Sequence, residues 1–310
     1  MSYDIIGDIH GQAAKLENLL ALLGYRRRAG TWRHPSRQAI FVGDFIDRGP
    51  WQLDTVDLVR RMIDDGQALA VMGNHEFNAI AWYLPDPERP VDTLRTRLGE
   101  LGARNRHQHG AFLAEVEHRP QLHREIIDWF LSLPLWLDLP ELRVVHACWH
   151  PDYMAELEPR LTPERRLTAD LMQAASREGW MEFRTVECLT KGVEIPLPDG
   201  HSFHDKDGHC RTRVRLRWWD SAARTYRQAA MMDRERIAQL PDVEVPGTHR
   251  VGYDAAKPVF FGHYWLTGAP APQAPSVACV DYSAGAGGAL VAYRWDGEPV
   301  LEASRFVASH

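Results

Sequence analysis

The sequence predicts an α/β fold with parallel strands at its core, and three observations carry that reading. Residues 3–6, 39–42 and 68–72 are short apolar runs with the length of buried strands. Between them, Leu16, Leu19, Leu20 and Leu23 recur at helical spacing, as do Leu53, Val56, Val59, Met62 and Ile63. Gly24 stands where a helix C-cap belongs, and Gly66 ends the second helix. The resulting β-α-β-α-β order implies parallel strands joined by right-handed crossovers.

Composition sets the outer limits. The chain has 310 residues, with 36 Lys and Arg against 42 Asp and Glu, a net charge of −6. Apolar residues make up 45% and charged residues 25%, the mix of a soluble globular protein that can bury a full core without disulfides. No apolar run is long enough to span a membrane, and the N-terminus reads as a strand rather than a signal peptide. The four cysteines show no CxxC spacing, so the expected location is a reducing cytoplasm. Mild acidity argues against nucleic acid as a partner.

Beyond residue 84 the pattern loosens. Residues 85–90 form a turn-rich break, residues 91–130 look helical, residues 142–147 return to strand, and residues 153–180 read as helix. A turn is expected at Asp205-Lys206-Asp207-Gly208. After it, Arg211, Arg213, Arg215 and Arg217 alternate with Thr212, Val214, Leu216 and Trp218, the period of a strand with one basic face. Residues 258–262, 277–281 and 289–295 add further strands.

The chemistry collects at the strand ends. The first three strands run into Gly7-Asp8-Ile9-His10-Gly11, Gly43-Asp44-Phe45-Ile46-Asp47-Arg48-Gly49 and Gly73-Asn74-His75-Glu76. In an open α/β sheet ligands bind beyond the carboxyl ends of strands, so these loops should share one crevice. His146 and His263 also close apolar runs, which favours them over His150 and His249. Two carboxylates, one amide oxygen and three imidazoles form a mixed O/N set suited to manganese, iron or zinc. His107, His109, His201, His204 and His209 read as surface residues.

These motifs, GDxHG, GDxxDRG and GNHE followed by two isolated histidines, resemble the calcineurin-like metallophosphoesterases. Within them the chain is similar to the phosphoprotein-phosphatase branch and its bacterial relatives, which include symmetrical dinucleoside-tetraphosphate hydrolases. The resemblance implies a sandwich of two mixed sheets flanked by helices, as one domain over residues 1–310. Insertions at about 85–140 and 150–255 would wall or cap the cleft.

The resemblance also implies two divalent metals, manganese first, with iron or zinc as alternatives. Asp8 and His10 would hold one, Asp44 would bridge both, and Asn74, His146 and His263 would hold the second. A hydroxide on the metals would attack phosphorus in line, with His75 as general acid, Asp47 orienting it, and Arg48 gripping phosphate. Glu76 is given no chemical step. The substrate implied is a phosphomonoester, such as phosphoserine or phosphothreonine on a protein. The alternative is symmetrical hydrolysis of a dinucleoside polyphosphate, and a minor one is a non-catalytic metal- or phosphate-binding regulator. Ala147-Cys148-Trp149 follows His146 where the phosphatase branch has Gly-Gly, which weakens transfer of protein-phosphatase specificity. Arg217 is the expected second phosphate-binding arginine; the bland reading of its strand is a solvated edge.

Overall fold

The computed structural model describes residues 1–204 and 208–310, so the turn expected at 205–208 lies outside the described residues except for Gly208. Nine strands build two sheets: β1 (Ser2–Ile6), β2 (Arg37–Phe41), β3 (Ala68–Ala70), β4 (Trp136–Asp138), β5 (Arg143–Val145), β6 (Val259–Phe261), β7 (Val277–Cys279), β8 (Leu290–Trp295) and β9 (Phe306–Ser309). The first sheet runs β9-β8-β1-β2-β3, and the second runs β7-β6-β5-β4. In the first, β1, β2 and β3 are parallel and β8 is antiparallel to β1. In the second, β5, β6 and β7 are parallel, while β4 is antiparallel to β5. Both sheets are therefore mixed.

Side-chain alternation explains why they stack. Ile5 and Ile40 are register partners, as are Val144 and Phe260, and all four enter one buried cluster with Val42, Ala278 and Tyr293. Their neighbours Ile6, Phe41, Val145 and Phe261 belong instead to the larger core. That core includes Leu16, Leu19, Leu20 and Leu23 of helix Ala13–Leu23 and Val56, Val59 and Met62 of helix Gln52–Asp64. One face of each strand thus packs sheet on sheet and the other is covered by helices. Gly24 caps the first helix in a left-handed conformation, as its position predicts.

Several elements depart from the sequence expectation. A hairpin, Arg26–Arg28 with Thr31–Arg33, precedes β2, and β4 and β9 are strands that the sequence pattern does not reveal. Residues 85–93 form a hairpin rather than a plain turn, and the expected helix splits into Gly99–Gln108, Gly110–Val116 and Pro120–Leu131. Helix Met181–Lys191 is also unanticipated. The arginine strand is broken into Cys210–Arg211, paired with Phe203–His204, and Arg213–Arg215, paired with Glu194–Pro196. Its partner segment carries Pro196 and Pro198, which lack the N–H that a continuous ladder requires. Among the described residues no helix is long and apolar enough to cross a membrane.

The 85–93 hairpin is pinned by one carboxylate. Asp86 accepts from the Glu88 N–H at 3.0 Å, Arg89 Nε at 2.8 Å and Arg177 Nη2 at 3.0 Å. Burial would raise its carboxyl, but these donors outweigh burial and hold it below the usual carboxylate range. Stability from a depressed acid is present above its unfolded pKa and fades as pH falls through the folded value. Asp86→Asn should therefore lower Tm at pH 7 by roughly 2–4 °C, for a loss of about 1 kcal/mol. The deficit should shrink below the ordinary carboxylate pKa in melts recorded against pH, and a pH-independent deficit would contradict this account.

Candidate active site

The parallel strands deliver their loops to one edge, and the backbone there is under strain. His10, Asp44, Asp47, Arg48 and His263 all have positive φ, at 51°, 54°, 72°, 70° and 73°. For side chains with a Cβ this region is costly, and it persists where the surroundings over-determine it. Two glycines allow the loops to touch. A Cβ on Gly73 would lie 2.2 Å from Asp44 Oδ1, and one on Gly262 would lie 1.9 Å from Asp8 Oδ1. Glu76 locks two loops together by accepting from the N–H groups of Asp44, Phe45 and Gly73 at 2.8, 2.8 and 3.0 Å.

Asp44 sits at the centre. Its Oδ2 lies 3.4 Å from His146 Nε2, 3.7 Å from His10 Nε2 and 3.9 Å from His75 Nε2. Backbone carbonyls set the ring orientations: His10 Nδ1 faces the Ile46 oxygen at 3.0 Å, and His146 Nδ1 faces the Val42 oxygen at 2.7 Å. With Nδ1–H assigned to those carbonyls, both rings turn an Nε2 lone pair inward. His146 Nε2 then faces Asn74 Oδ1 at 3.1 Å, and His263 Nδ1 faces the same oxygen at 2.8 Å. Asp8 Oδ2 accepts from the His263 N–H at 2.9 Å.

This crowd of acceptors fits a cation. Asp8 Oδ1, His10 Nε2 and His263 Nε2 are buried without a hydrogen-bond partner among the described residues. Burial pushes His10 down to about 3 and holds His263 well below its usual value, so both rings are held toward the neutral form, with a lone pair for a ligand bond. Burial, with Asp281 and Asp44 nearby, drives Asp8 well above the carboxylate range, a penalty that a positive ion would remove. His10, Asp44 and His75, and likewise Asp44, His146 and His263, have ligand atoms close enough together to hold a metal ion.

His75 and Asp47 form the other half of the site. His75 Nδ1 donates to Asp47 Oδ2 at 2.5 Å, and Nδ1 of His109 donates to the same oxygen at 2.7 Å. Burial would raise Asp47, but these hydrogen bonds, His109 first, bring it down to about 2. For His75 burial acts downward, while Asp44 and Asp47 more than offset it and hold the imidazole above its usual value. The guanidinium of Arg48 lies 4.3 Å from the Trp265 ring centre, a cation–π contact. A cavity of about 720 Å³ opens over Asp44, Arg48, Asn74, His75 and His263.

Asp8, His10, Asp44, Asp47, Arg48, Asn74, His75, His146 and His263 thus meet at one edge of the sandwich. Arg217 does not join them. It donates to the Gln228 carbonyl and lies 3.8 Å from Asp220, and it does not line the cavity. His109 corrects a second expectation, being buried against Asp47 rather than on the surface. His107 is exposed as expected yet borders the cavity, together with Arg95 and Lys191. All four come from the inserted segments, where no periodicity or motif signals them.

A two-sheet sandwich with this ligand-rich edge is a metallophosphoesterase architecture, and residues 1–156 match the family model described as Calcineurin-like phosphoesterase. The chain belongs to that family. Two relatives are each called bis(5'-nucleosyl)-tetraphosphatase PrpE [asymmetrical]. The one from Halalkalibacterium halodurans is 33% identical over 150 residues, 47% of this chain and 57% of the relative. The one from Oceanobacillus iheyensis is 30% identical over 148 residues, 47% of this chain and 55% of the relative. The chain therefore spans little more than half the length of these relatives. A Saccharomyces cerevisiae serine/threonine phosphatase structure aligns over 100% of this chain and 80% of its own, with a TM-score of 0.53 at 15% identity, a likeness of fold alone.

Proposed function

We propose that the protein hydrolyses phosphoesters with two divalent cations, Asp8 and His10 holding one, Asp44 shared, and Asn74, His146 and His263 holding the other. The observation that carries this reading is the inward set of unpartnered acceptors around Asp44. The mixed oxygen and nitrogen donors suit manganese, iron or zinc, and manganese is taken first on the family resemblance. When bound, such a pair supplies Lewis acidity toward phosphoryl oxygens and acidifies water.

The chain's own groups do the rest. Arg48, kept in place by Trp265, grips the phosphate through its planar fork. His75 keeps a proton on Nε2 and passes it to the leaving oxygen, while Asp47 fixes the ring through Nδ1. His109 is a positioning residue, since its hydrogen bond fixes the Asp47 oxygen that His75 uses.

A phosphomonoester is the first substrate class. The relatives' name brings a second, a dinucleoside polyphosphate. The deciding experiment is product analysis of manganese-loaded protein on a phosphoserine peptide and on diadenosine tetraphosphate in parallel. Free phosphate from the peptide alone supports the first class. From the dinucleotide, ATP with AMP marks an asymmetrical cut and ADP alone a symmetrical one. If neither compound nor any simple phosphoester is hydrolysed, the proposal fails.

A further inference from the structure

Among the described residues three Arg or Lys side chains border the cavity over Asp44, and they are not equally satisfied. Arg48 rests on Trp265, and Lys191, the last residue of its helix, pairs with Glu187. Arg95 differs from both. It gives Nη1 to Asn78 Oδ1 at 3.0 Å and Nη2 to Gln108 Oε1 at 2.6 Å. Both partners are neutral amides, so they aim the guanidinium without neutralising it.

Among the described residues no carboxylate forms an ion pair with Arg95, and its Nε is buried without a hydrogen-bond partner. The acidic groups whose fields reach it, Glu187 and Asp47, are already engaged by Lys191 and by the His75 and His109 rings. A largely buried cation lacking a counter-ion opposes folding, and burial here works against its charge. Arginine cannot shed its proton to escape that cost. A bound anion would supply the missing counter-charge.

We propose that Arg95, which lines the same cavity as Lys191 and Arg48, forms an anion subsite for a second phosphoryl group beyond the one held by Arg48. The cavity then takes substrates with two or more linked phosphates in preference to isolated monoesters. A single phosphate dianion would occupy Arg48 and the ligand cluster and leave Arg95 uncompensated. A linked second phosphate offers the planar fork a bidentate partner. The inference rests on the hydrolase reading and, within it, favours the dinucleoside polyphosphate class over the phosphomonoester.

The test is binding, so that it does not depend on turnover. Calorimetry would compare methylenediphosphonate with methylphosphonate, neither of which has an ester to cleave, on manganese-loaded protein in excess manganese, for the wild type, Arg95→Met and Arg95→Lys. Wild type should prefer the diphosphonate. Arg95→Met should reduce that preference at least tenfold, about the worth of one charge-assisted bidentate contact, with Arg95→Lys in between. Tm of Arg95→Met should hold or rise, because an uncompensated charge is removed. A preference that survives in Arg95→Met would overturn the subsite. So would its collapse alongside a Tm loss of several degrees, which would make Arg95 a structural residue. If the preference falls as expected but no phosphoester is ever hydrolysed, the subsite stands and the hydrolase reading fails. Hydrolysis with an unaltered preference would instead keep the hydrolase and remove the subsite.

Discussion

Replacing His75 with asparagine is expected to lower kcat at least about 100-fold on an alkyl phosphate such as a phosphoserine peptide, the usual worth of a positioned general acid. The geometry supports a proton donor at this position. Nδ1 is committed to Asp47 at 2.5 Å, and Nε2 lies 3.9 Å from Asp44 Oδ2 on the wall of the cavity. Burial works against the charged ring, but Asp44 and Asp47 outweigh it and raise the imidazole above its usual value, and Asp47 keeps that role when Asp44 is engaged by cations. The deficit should depend on the leaving group. Serine leaves as an alkoxide that needs protonation, whereas p-nitrophenolate needs little. The His75→Asn deficit should therefore shrink markedly on p-nitrophenyl phosphate. Equal deficits on both esters would mean that His75 holds phosphate rather than protonating a leaving group. Near-wild-type rates on both would remove it from the chemistry.

The parts of this site that the sequence makes legible share one physical cause. A strand ending in Gly and a polar residue must turn sharply at the sheet edge, so Asp8, His10, Asp44, Asn74 and His75 declare their meeting place by local pattern. His146 and His263 follow the same logic on the second sheet. His109 and Arg95 obey no such rule. They lie in segments without a dominant apolar face, and only tertiary packing brings them to Asp47 and Asn78. The arginine strand shows a different limit. Alternation places Val214, Leu216 and Trp218 inward, as they are found, but period two does not specify where the outward arginines end. Arg217 is drawn to the Gln228 carbonyl, a contact made with a segment that folds back from beyond the strand. Short elements such as β4 and β9 escape notice because three or four residues carry too little pattern.

Asp44→Asn should produce the second large effect, a loss of at least about 100-fold in kcat joined to a loss of bound metal. Asp44 Oδ2 is the one carboxylate oxygen among the described residues placed within 4 Å of His10, His75 and His146 together. Burial would raise this acid, yet in the metal-free site the charge of the neighbouring imidazoles, His146 first, holds it well below the carboxylate range, and a cation would take over that role as it displaces their protons. Asparagine keeps the shape, and one oxygen can still accept from the His75 N–H, a bond of 3.0 Å in the parent. What changes is the charge, and an NH₂ replaces one acceptor in a cluster built of acceptors. Metal content after dialysis should fall by about half or more. The rise in Tm on adding manganese should fall with it, because a ligand stabilises the folded state by about 2.7 kcal/mol at 100 times its Kd and by less as Kd rises. Asparagine loses the imidazole attractions that depress Asp44 while relieving its repulsion on Asp8 and Glu76, so the manganese-dependent shift is read against the variant's own metal-free Tm. A variant that keeps its full metal complement and its manganese-dependent Tm shift would show that Asp44 is not shared between two cations. Any catalytic loss would then have to come from the missing negative charge beside His75 rather than from lost metal.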